Sequence, residues 1–165
     1  MPDVPASFDA GVANESLRTQ FEVFLDDHRS ALNACLDGLT EEQARQSLVR
    51  SRTTLIGLVK HATFVEKVWF DEAVTCRQRT EIGIPATPDE SFLLDEQDTI
   101  ASVKQAHHDA CQASRLATAS LGVDDLVYGN RRGPLPLRWI YLHVLRELAQ
   151  HCGHADILRE QVLYP

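Results

Sequence analysis

The stretch Leu137-Arg138-Trp139-Ile140-Tyr141-Leu142-His143-Val144-Leu145-Arg146-Glu147-Leu148-Ala149-Gln150-His151-Cys152-Gly153-His154-Ala155-Asp156-Ile157-Leu158-Arg159-Glu160 decides the fold. Ile140, Val144, Leu148, Ala155 and Leu158 recur at the spacing of one helix face. Pro134 and Pro136 precede the run, and proline suits a first-turn position, so the spacing predicts a helix from there to about Val162. Glu147 and His151 fall inside the apolar stripe at i and i+4. A carboxylate turned toward a core is costly unless it is paired, hydrogen-bonded or bound to a metal.

Working outward, three more long helices are expected. One runs from about Asn14 to Asp37 on Leu17, Phe21, Phe24, Leu25, Leu32 and Leu36, with Gly38 placed as the residue after the helix end. Thr40-Glu41-Glu42-Gln43 has capping-box spacing and predicts one short helical turn. A second long helix spans about Thr54 to Cys76, and a third, rich in alanine, about Asp98 to Leu121 before Gly122. Arg79 to Glu96, with Gly83, Pro85 and Pro88, reads as a long surface connection, and a second irregular stretch passes through Gly129 and Gly133. Strands are hard to find. Four long helices with two long connections describe an all-α four-helix bundle with crossover connections, one domain over residues 1–165.

Composition narrows the function. The chain has 165 residues, 44% hydrophobic and 24% charged, within the range of ordinary globular domains. Its 16 basic and 24 acidic residues give a formal charge of −8, which repels nucleic acid and anionic lipid, and the only tight basic pair is Arg131-Arg132. No apolar run is long enough for a membrane span. Met1-Pro2-Asp3-Val4-Pro5 carries an acid where a signal peptide needs positive charge, so a cytoplasmic location is expected. Cys35, Cys76, Cys111 and Cys152 lie far apart and fit reduced thiols, mostly small core groups.

The helix over Thr54 to Cys76 supplies the partner for the polar pair. His61 sits three residues after Leu58 and four before Val65, on the same apolar face. Two imidazoles and one carboxylate from facing helices make the His₂Glu set of open metal sites, with a coordination position left for water or substrate. His61, Glu147 and His151 are therefore the candidate metal triad. His143 and His151 lie about 12 Å apart along a helix and cannot share an ion. Spacing alone still allows His143 with Glu147, Glu147 with His151, or His151 with His154; the second is ranked first because it leaves His143 and His154 as flanking pocket groups. An inward histidine satisfied by one hydrogen bond, beside a Glu–His surface pair, would produce the same pattern. Glu66 points to another face and suits an interhelical ion pair, while His28, His107 and His108 read as solvated.

A family resemblance adds to this. Ser51-Arg52-Thr53-Thr54-Leu55-Ile56-Gly57-Leu58-Val59-Lys60-His61, with Val65-Glu66 and Trp69-Phe70, resembles the second-helix signature of the DinB-like superfamily. Leu137-Arg138-Trp139-Ile140, His143 and Glu147 through Glu160 resemble the closing helix of its mycothiol-linked branch, which includes mycothiol S-transferases and mycothiol-dependent maleylpyruvate isomerases. Many DinB-like proteins have His at the position of Glu147; the isomerases resemble this chain in having Glu. The resemblance implies a bundle whose buried divalent metal, zinc or nickel first, is held by His61, Glu147 and His151. It also implies a low-molecular-weight thiol such as mycothiol as partner, a small electrophile as co-substrate, and is compatible with a homodimer.

A metal-bound thiol is deprotonated, so the leading expectation is a metal-dependent thiol S-transferase or isomerase. The rival is a non-catalytic metal-binding or stress-response bundle. Arg138, Arg131 and Arg132 could hold a carboxylate on thiol or substrate, although solubility is the commoner role of the last two. Trp69, Trp139 and Tyr141 could line a pocket mouth or simply pack. Gly153 interrupts a helix where alanine would be better by about 1 kcal/mol, which a close backbone neighbour would explain.

Overall fold

Four long helical runs carry the fold in the computed structural model, which describes residues 11–164. Helix α1 (Leu17–Ala34) starts at Ser16, whose hydroxyl accepts the Thr19 amide, and is followed by Gly38 at φ 74°. Helix α2 (Glu41–Ala44) is the short turn expected at Thr40, with both capping-box bonds between Thr40 and Gln43 formed. The Met1–Pro5 reading lies outside the described residues.

Helix α3 (Leu55–Glu66) is capped by the Thr54 hydroxyl and passes directly into a π-helical turn (Lys67–Glu72) and α4 (Ala73–Thr75). The expected helix over Thr54 to Cys76 is thus present, wound more loosely in its second half. Helix α6 (Ile100–Thr118) starts later than Asp98 because Thr99 is its cap, and the Glu41 carboxylate accepts the Ile100 amide at 3.0 and 3.1 Å. It stops before Leu121, and Arg18 donates to the carbonyls of Thr118 and Leu121 just beyond. Helix α7 (Leu137–Leu163) is the informative run of the sequence.

The connections hold more structure than their composition suggests. Between Arg79 and Glu96 lie α5 (Arg79–Ile82) and a 3-10 turn (Asp89–Phe92), and Ser91 in that turn is buried. The expectation of a plain surface loop is corrected there: Phe92 and Ser91 fold back onto α3. Before α7, β1 (Leu126–Val127) pairs antiparallel with β2 (Leu135–Pro136), a two-residue ladder that periodicity is too short to reveal.

In the bundle α1 packs along α7 and α3 along α6, with α3 also meeting α7. Leu25, Leu32, Leu58, Val59, Ala62, Ile140, Val144, Leu148 and Ala155 form the centre of one apolar cluster. His107 is fully buried and not solvated as its sequence position suggested; Asn33 donates its amide to both His107 Nδ1 and the Arg29 carbonyl. Glu66 makes the expected interhelical pair, accepting from Arg29 Nε and Nη2 at 2.8 Å each and from Ser114 at 2.7 Å.

Candidate metal centre

His61 enters the core because α3 buries Leu58, Ala62 and Val65 around it; only 5% of the residue is exposed. Its Nδ1 lies 2.6 Å from Ser91 Oγ, and that hydroxyl donates at 2.5 Å to the Pro88 carbonyl. With its proton committed to Pro88, Ser91 can only accept, so His61 carries its hydrogen on Nδ1 and keeps a lone pair on Nε2. Phe92 from the same turn stacks on the His61 ring at 4.2 Å.

Glu147 and His151 approach from α7. Glu147 Oε2 stands 3.9 Å from His151 Nε2, and the His61 and His151 rings meet edge to face at 4.8 Å. One donor atom from each of His61, Glu147 and His151 lies within 4.8 Å of the other two. These gaps are too long for hydrogen bonds and slightly wider than the roughly 3.4 Å between neighbouring ligands of a tetrahedral zinc. Burial pushes His61 down to about 4, with His151 adding to the shift, and pushes His151 down against the opposing pull of Glu147. Both imidazoles are therefore neutral at pH 7 and offer lone pairs.

One further observation tests whether the residues fit a cation. His151 Nδ1 is buried without a hydrogen-bond partner among the described residues. A buried polar atom left alone is costly. Two neutral imidazoles, a carboxylate and an unsatisfied ring nitrogen suit a divalent ion of borderline softness.

The other singled-out residues are placed as follows. His143 Nε2 is 4.0 Å from Glu147 Oε1, but the ring is hemmed by Trp69 at 4.2 Å and Trp139 at 5.1 Å. His154 is exposed and lines a cavity of about 280 Å³ with Val49, Ser51, Thr53, Ile157 and Leu158. A neighbouring cavity of about 400 Å³ shares Ser51 and Thr53 and reaches Phe92. Arg138 does not turn to the triad; it pairs with Asp124. Tyr141 is buried and stacks on Phe21, a packing role, and Cys152 faces the His28 carbonyl of α1. Apart from its chain neighbours and its own helix backbone, no atom of the described residues lies within 4 Å of a Cβ built on Gly153, so the close neighbour expected there is absent from this chain's described part.

A second group of potential ligands, Glu66, His107 and Cys111, is buried on the other side of α3. Arg29 and Ser114 already occupy its carboxylate, and burial raises the Cys111 thiol to about 12, so it reads as a structural network. A groove of about 610 Å³ runs between α1 and α6 over that network and holds none of the triad. Sequence reasoning missed Ser91, Phe92 and the burial of His107. The first two lie on a segment without periodicity, whereas His107 follows Val103 by four residues and precedes Ala110 by three, a signal that was there to be read.

A search of curated proteins found no match to the chain. Residues 20–163 match the family described as Mycothiol-S-transferase, a span that holds all four long helices apart from the first turn of α1, and with it His61, Glu147 and His151. The chain belongs to the mycothiol S-transferase family.

Proposed function

We propose that this protein is a metal-dependent thiol S-transferase that uses mycothiol or a related low-molecular-weight thiol. His61, Glu147 and His151 would hold the divalent ion, with zinc or nickel the first candidates. The observation that carries the reading is the convergence of one donor atom each from His61 on α3 and from Glu147 and His151 on α7 within 4.8 Å of one another. Bound there, the ion would keep a thiol sulfur in its thiolate form at neutral pH. In the reaction a sulfur–carbon bond forms, the bond from that carbon to its leaving group breaks with the electron pair leaving on that group, and the thiol proton passes to solvent.

The chain's own residues supply orientation and exclusion of water. Ser91 fixes the tautomer of His61, and Phe92 covers the ring face. The cavities bordered by Ser51 and Thr53 lie beside His154 and Phe92, whose rings neighbour His151 and His61, and would take the thiol. The cytoplasmic location and the homodimer belong to this reading; in the described residues, no helix is long and apolar enough to cross a membrane.

Metal analysis of natively purified protein, followed by thiol titration of the cobalt-substituted form, tests it. About one metal per chain and a thiolate-to-cobalt absorption band are expected. Metal without the band would favour the non-catalytic metal-binding reading. No metal after incubation with excess zinc or nickel would remove the triad. Sedimentation that finds only monomer at high concentration would dispose of the dimer.

A further inference from the structure

Arg132 lies on the connection into α7, at the edge of an aromatic cluster that ends on the triad. Its guanidinium carbon is 5.5 Å from the centre of the Trp139 ring and 6.0 Å from that of Trp69. Trp139 stacks on His143 with the ring planes 8° apart, and His143 Nε2 reaches to 4.0 Å from Glu147 Oε1. A continuous ladder of rings thus joins Arg132 to a candidate ligand.

The loop that carries Arg132 is fixed at its base. Gly129 donates its amide to the Ala73 carbonyl at 2.9 Å, and a Cβ on Gly129 would come 1.9 Å from the Glu72 carbonyl oxygen. Only glycine permits that approach, and it presses the loop against the end of the π-helical turn that carries Trp69. The Asn130 side chain then accepts the Arg132 amide, and Gly133 turns the chain at φ 90°. The guanidinium is placed by backbone and by two indoles.

Its charge is unmatched. The nearby acids are each occupied: Asp71 by Arg77, Glu72 by Arg79 and Asp124 by Arg138. Among the described residues, no carboxylate pairs with Arg132. On the other side of His143, Arg146 Nη2 lies 3.0 Å from His143 Nδ1 and 3.6 Å from Glu147 Oε1, so the approach is cationic from both sides. A guanidinium that lies over aromatic rings and pairs with no carboxylate has N–H donors free for a planar anion.

We infer that Arg132, seated on Trp69 and Trp139, is the subsite for a carboxylate of the electrophilic co-substrate. This rests on the thiol-transferase reading of the triad. Of the three arginines that the sequence allowed, Arg138 is taken by Asp124 and Arg132 is the one whose guanidinium lies over the two indoles, and the subsite makes anionic electrophiles the preferred substrate class.

Trp69 and Trp139 are the chain's two tryptophans, so intrinsic emission reports on this place directly. Metal-loaded protein is titrated with succinate, and with succinamide as the uncharged probe of the same skeleton, at constant ionic strength. Succinate is expected to change the emission saturably and succinamide to leave it unchanged. Arg132→Gln should weaken succinate binding at least tenfold and Arg132→Lys less, with metal content unaltered. Equal titration of wild type and Arg132→Gln, equal response to succinamide, or no saturable response would overturn the subsite. The cobalt–thiolate band separates the two ideas. Its absence alongside Arg132-dependent succinate binding would defeat the thiol reading and leave the anion site standing, and the converse would remove the anion site alone.

Discussion

Ser91 accepts a hydrogen bond from His61 across 30 residues of sequence and thereby decides which nitrogen of His61 faces Glu147 and His151. Removing the hydroxyl frees the ring to adopt the other tautomer and leaves a buried N–H without an acceptor. Ser91→Ala should lower zinc affinity about 10–100-fold, the usual effect of losing a partner behind a ligating histidine. Competition with a chromophoric chelator would measure it. An unchanged affinity would mean that Ser91 only packs the turn.

Metal binding and folding should be coupled through the triad. Adding zinc at about 100 times its dissociation constant should raise the unfolding free energy by about 2.7 kcal/mol. His151→Ala or Glu147→Gln should abolish that increment, while His154→Ala, altering an exposed ring, should keep it. Thermal melts with and without zinc read this directly. A zinc-dependent rise that survives in His151→Ala would place the ion elsewhere.

Glu66 is a different kind of buried acid, held by two guanidinium bonds and a serine. Glu66→Gln keeps the volume and leaves the buried Arg29 with only Asp26, at 2.9 Å and partly exposed, as its ionic partner, which should destabilise the fold by up to about 3–5 kcal/mol. Denaturant unfolding of the variant gives the number. A loss under about 1 kcal/mol would show that Arg29, which lines the groove between α1 and α6, is hydrated from that side.

The sequence was most readable where polar residues break an apolar period. His61 between Leu58 and Val65, and Glu147 with His151 inside the α7 stripe, are visible because their neighbours specify which way they point. Glu66 was legible for the same reason, since its angle from His61 on a helix sends it to another face. Ser91, Phe92 and Arg132 sit on connections whose paths depend on tertiary contacts, such as the fit of Gly129 against the Glu72 carbonyl, and no local pattern encodes those. The rotation of Arg138 toward Asp124 was equally out of reach, because its helix position allows either direction.

His107 gives the pH dependence a definite sign. Asn33 donates to its Nδ1, so adding a proton there sets two donors against each other, and desolvation pushes the group down to about 4 from an ordinary 6.5. Between those values the unfolded chain binds a proton that the folded chain refuses, so stability is full above pH 6.5 and falls as the pH drops toward 4. The loss from this one residue is on the order of 3 kcal/mol. Metal-free His61, also pushed down to about 4, adds a similar loss over the same window. His107→Gln keeps a neutral polar group at the position and should remove the His107 share of the acid dependence, to which His61, His143 and His151, all pushed down by burial, also contribute, leaving stability at pH 7.5 less affected. Urea unfolding at several pH values between 4 and 7.5, on metal-free protein, compares the two slopes. Parallel curves for wild type and variant would mean that His107 takes up its proton in the folded state, and that the Asn33 amide turns to receive it.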